Sequence, residues 1–311
     1  IPYIHTRYPL WEQPDLIGQV DRGEWFLPDA EEGERELIVT DILDARPLFV
    51  QRVGGPSYLT LGSAGCLGTV FILATFHLWA LTLIFFAGFV GFTLYWLWTG
   101  TARIPATPEK PVGRGLVLPT YAQGNRSSGW WAVFITMTGD MTAFMGLVFS
   151  YFYYWTAVPA FLPEAARLPV FGWLVAGLAG VLAGWGLTLL SRQVLRQGRR
   201  GLAMVTLAGS VVPSALGLGG FVWAAQAAGL DPTRTSFDAM VWMLVLWLGL
   251  HLGLNWVMQL YVTARIYAGH CTPRYCADHY NLTLYGHFVV ITGLTTFGLL
   301  ALFPMLMGVF G

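Results

Sequence analysis

The chain of 311 residues is 55% hydrophobic and only 11% charged, and it carries fourteen tryptophans, which excludes an ordinary soluble domain and is typical of a membrane protein. Its 17 basic and 17 acidic residues cancel to a net charge of zero. We find no basic face interleaved with aromatic residues, so nucleic acid is excluded as a partner. The start at Ile1 has the features of an internal or processed end and lacks those of a signal peptide.

The first segment, 1–56, is polar and holds most of the acidic residues of the chain. Pro9, Pro14 and Pro28 exclude a long helix there, while the alternation over 36–44 predicts one short extended segment. We expect a cytoplasmic arm in aqueous surroundings. It either lies on another protein surface or is a solvated linker, and the sequence favours neither.

Seven apolar runs follow, separated by polar loops, and each is long enough for a membrane helix. These runs are 58–77, 79–98, 130–156, 170–190, 202–228, 237–263 and 282–309. The first two are joined so tightly that 57–100 is predicted to be a hairpin. A Pro-rich cytoplasmic loop, 101–129, then separates it from a five-helix bundle, 130–311. The predicted fold is therefore an all-α membrane protein with seven transmembrane helices and a polar N-terminal arm.

The basic residues predict the orientation. With seven helices, fifteen of the 17 lysines and arginines fall on one side of the membrane and only Arg167 and Arg234 on the other. The positive-inside rule then places the N-terminal arm in the cytoplasm and Gly311 outside. We expect a multi-pass protein of the cell inner membrane.

A single carboxylate, Asp140, interrupts the third apolar run, at a depth of about 15 Å. Burying an acid there costs about 2.5 to 3.5 kcal/mol, so Asp140 is either a functional site or a protonated acid bonded inside the bundle. His251 is predicted at a similar depth, where the two side chains could meet and hold or pass a proton. A histidine on an apolar helix is, however, more often a packing residue, and His287, nearer the cytoplasmic end, is a further polar partner.

Two other groups of residues are candidate binding sites. Trp130, Trp131 and Arg126 are expected at the cytoplasmic interface, near lipid headgroups. A loop motif has the ligand types of a zinc site at an imperfect spacing, although a polar turn that contains cysteine is favoured over zinc. Its candidate ligands are His270, Cys271, Cys276 and His279. Only one of the six histidines lies deep in a helix, which excludes a di-haem bundle.

Three segments resemble subunit III of haem-copper cytochrome c oxidase, in the same order along the chain. The run from Trp130-Trp131 through Asp140 to Phe149-Ser150-Tyr151-Phe152 is similar to that family's helix with a buried Glu. The segments 247–251 and 284–289 resemble its His-Gly-Leu-His and Tyr-Trp-His-Phe-Val-Asp segments. Asp140 replaces the usual Glu, and the Asp that follows Phe-Val in the family is Val290 here. The resemblance covers about 130–310.

The segments 6–14 and 39–47 also look like the join in oxidases whose subunits I and III are fused. The resemblance implies a non-catalytic component that binds no haem or copper itself, holds phospholipid, steadies subunit I and supports its proton uptake. It implies subunits I and II as partners, which hold haem and copper, and cytochrome c as the electron donor of the complex. The alternatives are a proton-coupled secondary transporter that uses Asp140, disfavoured by the lack of an inverted repeat, and a purely structural membrane scaffold.

Overall fold

The computed structural model describes residues 6–22, 24, 35–53, 57–100, 107–113, 115–164 and 167–308. Parts of the predicted arm and of the Pro-rich loop, and the last three residues with Gly311, lie outside the described residues. The chain is mostly helical and forms two compact units, Ile1–Ala122 and Gln123–Gly311.

The described residues of the first unit form four helices and four strands. They are α1 (Pro9–Glu12), α2 (Leu16–Asp21), β1 (Arg35–Thr40), β2 (Pro47–Val53), α3 (Leu59–Thr75), α4 (Trp79–Gly100), β3 (Glu109–Gly113) and β4 (Leu116–Pro119). The chain is consistent with the predicted all-α membrane class, but the sequence predicted only one extended segment, and the described residues of this unit form four short strands. That segment, 36–44, is β1 only as far as Thr40, because Ala45 takes a positive φ and the backbone N–H of Asp41 donates to the Arg46 carbonyl, which closes a turn.

The strands form two antiparallel hairpins, β1 with β2 and β3 with β4. Their inward side chains share a small core of Val50, Val112 and Leu118. Lys110 on β3 also donates to Glu36 on β1 over 2.6 Å. The predicted arm and the predicted loop therefore contribute to one small β module.

The helices α3 and α4 pack as a hairpin in which the hydroxyls of Ser63 and Thr93 lie 2.8 Å apart. Six helices of the described chain are long and apolar enough to cross a membrane, and α4 is the first of them. The chain is thus a multi-pass membrane protein. With 17 residues, α3 spans about 26 Å, which is shorter than a hydrocarbon core of about 30 Å, so a seventh span stays a prediction.

The second unit is the helical bundle. Its helices are α5 (Ser128–Ala157), α6 (Phe171–Arg196), α7 (Arg200–Gly209), α8 (Val211–Ala227), α9 (Ser236–Tyr267), α10 (Ala277–Phe297) and α11 (Phe303–Leu306). The predicted helix 202–228 is divided at Ser210 into α7 and α8. Pro213 has no N–H to donate to the carbonyl of Gly209, and it is tolerated only because it lies in the first turn of α8. Between α10 and α11 the chain makes a π-helical turn, Gly298–Leu302.

The turns between these helices bring several arginines to one end of the bundle, called here the arginine-rich end. It consists of the end of α6, the start of α7, the end of α9 and the start of α10. Its arginines are Arg192, Arg196, Arg199, Arg200 and Arg265. Hydrogen bonds connect these elements. Arg196 on α6 donates to the Tyr280 hydroxyl on α10 over 2.5 Å, and Arg200 on α7 donates to the Ile266 carbonyl on α9 over 2.7 Å.

Candidate functional site

Asp140 and His251 lie near the middle of two adjacent helices, α5 and α9. Asp140 is twelve residues from the start of α5, or about 18 Å along its axis. His251 is fifteen residues into the 32-residue helix α9. Both positions are therefore close to the centre of a membrane-spanning segment.

The structure brings these two side chains together. Nε2 of His251 lies 3.8 Å from Oδ2 of Asp140. His251 is largely buried, whereas 42% of the Asp140 side chain is exposed. The separation exceeds that of a direct hydrogen bond, so a modest side-chain movement or one bridging water is needed to join the two atoms.

The other ring nitrogen of His251 decides how protons are arranged in the pair. Nδ1 lies 2.8 Å from the backbone carbonyl of Trp247, one turn earlier on α9. A carbonyl only accepts, so Nδ1 carries a hydrogen, and in the neutral ring Nε2 is a bare acceptor. When the pair holds one exchangeable proton, it is either a neutral imidazole beside a protonated acid or an imidazolium beside a carboxylate. In both states one proton serves two sites.

Aromatic side chains enclose the imidazole. The rings of Trp247, Phe288 and Tyr285 have centroids 4.5, 5.2 and 6.4 Å from that of His251. Two buried polar atoms of this wall, the Tyr285 hydroxyl and the Trp247 Nε1, have no hydrogen-bond partner in the described part of the chain. Sequence reasoning missed both residues, since neither carries a signal that separates it from ordinary packing aromatics.

His287 is not part of this pair. It lies two residues beyond Tyr285 on α10, so its ring is on another side of the helix, where it is exposed. There Nε1 of Trp185 on α6 donates to its Nδ1 over 2.9 Å. The structure thus assigns His287 to a contact between α6 and α10.

The predicted interface residues lie together at the start of α5. Ser127 caps the helix by accepting from the backbone N–H of Trp130 over 3.2 Å, as a Ser at this position commonly does. The indole of Trp131 donates to the Asn125 carbonyl over 2.9 Å. Arg126 is exposed on the preceding short helical turn. Lipid binding by this group stays a prediction.

The zinc candidates do not form a site in the structure. Across the residues that it describes, no group of three or more His, Cys, Asp or Glu side chains is placed to hold a metal ion. Cys276 directs its thiol at the Gln123 side-chain oxygen, 3.4 Å away. His279, in the first turn of α10, points to Ser191 on α6 instead. The loop therefore contains residue types that bind zinc, but α10 turns the side chains of Cys276 and His279 toward different neighbours.

The loop cysteines are instead buried thiols. Both are free and buried. Burial, with a smaller contribution from the neighbouring Cys276 thiol, raises the pKa of Cys271 to about 12. Burial likewise raises the pKa of Cys276. Both side chains are neutral at physiological pH and pack in a hydrophobic cluster with Leu195, Ile266 and Leu282.

Two buried amides on α9 were also missed. Asn255 and Gln259 are buried polar side chains that follow His251 at intervals of four residues, so the three share one face of the helix. This spacing was present in the sequence and could have indicated a polar row beginning at the predicted pair.

Comparison with known proteins adds no further constraint. No family model matches this chain, and no curated protein matches its sequence. The likeness of its segments to oxidase subunit III stays a sequence-based prediction, and the Asp140–His251 pair is the candidate site that the structure provides.

Proposed function

We propose that this chain is the subunit III-like component of a proton-pumping cytochrome c oxidase, and that its Asp140–His251 pair binds and releases one proton near the middle of the membrane. The observation that supports this proposal is the 3.8 Å approach of the carboxylate to Nε2, with Nδ1 already committed to a backbone carbonyl. An acid and a base that share one proton are suited to accepting it on one occasion and releasing it on another.

The exposure of the acid supports a partner on this face. A carboxyl group facing hydrocarbon is costly, and Asp140 is 42% exposed. A polar surface on a neighbouring subunit offsets this cost. In our proposal that neighbour is oxidase subunit I, present either as a separate chain or as a covalent continuation of this one.

The same proposal assigns the remaining roles. Haem and copper belong to subunits I and II, where cytochrome c delivers electrons and oxygen is reduced, and this chain supplies support and a proton site. Phospholipid headgroups lie beside Trp130, Trp131 and Arg126. The arm and the arginine-rich end face the cytoplasm, as the positive-inside rule predicts.

The first test is purification of the tagged chain in mild detergent, followed by a reduced-minus-oxidised optical spectrum and mass spectrometry of everything that accompanies it. We expect a haem a-type signal together with oxidase subunits. A colourless chain without such partners would overturn the proposal and favour the proton-coupled transporter.

The second test addresses the pair inside the complex. Asp140→Asn keeps the size of the side chain but cannot bind the proton, so we expect slower proton uptake or faster inactivation during turnover. Asp140→Glu should restore both properties. Thr138→Val is a matched control, because the Thr138 hydroxyl is exposed and bonds only to its own helix. Unchanged turnover in Asp140→Asn would reduce Asp140 to a structural residue.

A further inference from the structure

The pair lies at one end of a buried polar row on α9. His251, Asn255 and Gln259 recur every four residues, so they form a stripe along a single face of the helix. Asn255 is 6% exposed and Gln259 fully buried. Polar side chains are costly inside a membrane protein, which makes an aligned set of them a functional candidate.

The row continues across to α6. Nε2 of Gln259 donates to the Thr188 hydroxyl over 3.0 Å, and that hydroxyl lies 3.4 Å from the hydroxyl of Ser210. Ser191 follows Thr188 by three residues, on the same side of α6. Its hydroxyl lies 3.2 Å from Nε2 of His279, in the first turn of α10.

The row ends beside the arginine-rich end. Tyr280, the residue after His279, lies under the guanidinium of Arg192, 3.8 Å from its ring centroid. Polar groups therefore extend from the middle of the bundle to one of its two aqueous ends.

Two side-chain oxygens of the row lack a hydrogen-bond partner among the described residues, and one of them, on Asn255, belongs to a residue that lines a cavity. The side-chain oxygens of Asn255 and Gln259 are buried and have no hydrogen-bond partner within the described part of the protein. Asn255, Thr188, Ser214 and Trp185 line a small cavity in the bundle, with room for about one water molecule. A water bound there would satisfy the Asn255 oxygen and contact the hydroxyls that line the cavity.

We propose that this row is a proton path that connects the Asp140–His251 pair with the arginine-rich end of the bundle. The proposal rests on the proton exchange proposed for that pair. A proton enters at His279 and passes over Ser191, Thr188 and water. At each hop one O–H or N–H bond breaks as another forms, so one proton is taken from the aqueous side and one is delivered to the pair. The amides of Asn255 and Gln259 do not relay the proton: Asn255 orients the water in the cavity, and Gln259 holds the Thr188 hydroxyl in place.

Buried polar residues in membrane bundles also serve simply to bind helices together. The two roles make different predictions. A path controls how fast the pair exchanges its proton but leaves the equilibrium unchanged, whereas interhelical bonds control only stability.

The test measures deuterium uptake by Asp140. The full chain in lipid nanodiscs is mixed rapidly with D2O, and the infrared carbonyl band of the protonated acid is followed with time. Asp140→Asn identifies this band. We expect Asn255→Leu and Gln259→Leu to slow the exchange at least tenfold, with the pH titration of the band unchanged.

Thr188→Val is the second variant, for use if either leucine variant fails to fold. It removes the hydroxyl but keeps the volume and shape of the side chain. Thr295→Val is the control, because the Thr295 hydroxyl is exposed and bonds only to its own helix; it should exchange at the wild-type rate. Unchanged exchange in the folded path variants would overturn the path while leaving the pair intact. A wild-type band that never titrates would overturn the proton exchange of the pair itself.

Discussion

Gly180 on α6 and Gly217 on α8 approach so closely that a Cβ atom built on Gly180 would lie 2.7 Å from the Cα of Gly217. The same atom would lie 2.5 Å from the carbonyl oxygen of Pro213. Both neighbours are backbone, which cannot rotate aside. Small residues at such crossings allow two membrane helices to pack through their backbones.

Gly180→Ala should therefore separate α6 from α8 and lower the free energy of unfolding by about 1 to 3 kcal/mol. Thermal unfolding of the full chain in detergent measures this loss. Gly186→Ala on the same helix is the control, because a Cβ there meets nothing within 4 Å. Equal melting temperatures for the two variants would contradict the packing described.

Asp238 anchors the start of α9. It is 1% exposed and accepts from the Arg167 guanidinium, the Thr235 hydroxyl and the backbone N–H of Asp231. Asp238→Ala leaves these donors without their acceptor, so we expect a loss of about 3 kcal/mol.

Arg167→Ala should cost less, about 1 kcal/mol or below, because Arg167 is 45% exposed and water screens its charge. Denaturant unfolding of both variants measures the difference. If Arg167→Ala is as costly as Asp238→Ala, the ion pair matters more than the other bonds to the acid.

Glu36 and Lys110 form a buried ion pair in the β module, with their side chains 7% and 9% exposed. Glu36→Ala leaves a buried ammonium with its main counter-charge removed, and we expect a loss of about 3 to 5 kcal/mol. The double variant Glu36→Leu/Lys110→Met should recover most of that stability. Hydrogen exchange of the β1 and β3 amides measures both effects, and a double variant as unstable as the single one would refute this account.

Cys271 should make stability depend on pH in the alkaline range. Burial raises its pKa from 9.0 to about 12 in the folded chain, so the unfolded chain releases this proton at a lower pH than the folded chain. Its stabilising contribution is complete below about pH 9 and is lost as the pH rises towards 12. Unfolding at pH 8 and pH 10.5 tests this, with a weaker pH dependence expected for Cys271→Ala. Cys66→Ala in α3 is the control and should keep the wild-type dependence.

Hydropathy predicted most of the helices because the apolar runs are long, but it did not predict their ends. The helix α10 begins at Ala277, five residues before the predicted start, since its first turns are polar and resemble a loop. The break at Ser210 was missed because the residues on both sides of it are equally apolar. The bond between Glu36 and Lys110 joins residues 74 positions apart, and no local pattern indicates it.

In the candidate site, too, the sequence pattern predicted the depth of residues along a helix but not the direction of their side chains. Equal depth along two helices was enough to place Asp140 and His251 near one another as candidates. The loop residues with zinc-ligand side chains, for which the sequence favoured a polar turn, are not grouped in the described structure, because spacing along a loop does not determine where side chains point. The Tyr285 hydroxyl has no partner among the described residues, and this depends on how α10 packs against its neighbours, which one sequence without its fold does not contain.

The hydrogen bond between Nδ1 of His251 and the Trp247 carbonyl keeps the imidazole from turning over. In a ring held in this way only Nε2 can exchange a proton, so a proton that arrives at Nε2 must also leave from Nε2. Any directional transfer through this pair therefore cannot come from rotation of the histidine. The carboxylate of Asp140, whose side chain is 42% exposed, is then the group of the pair that must give or take the proton.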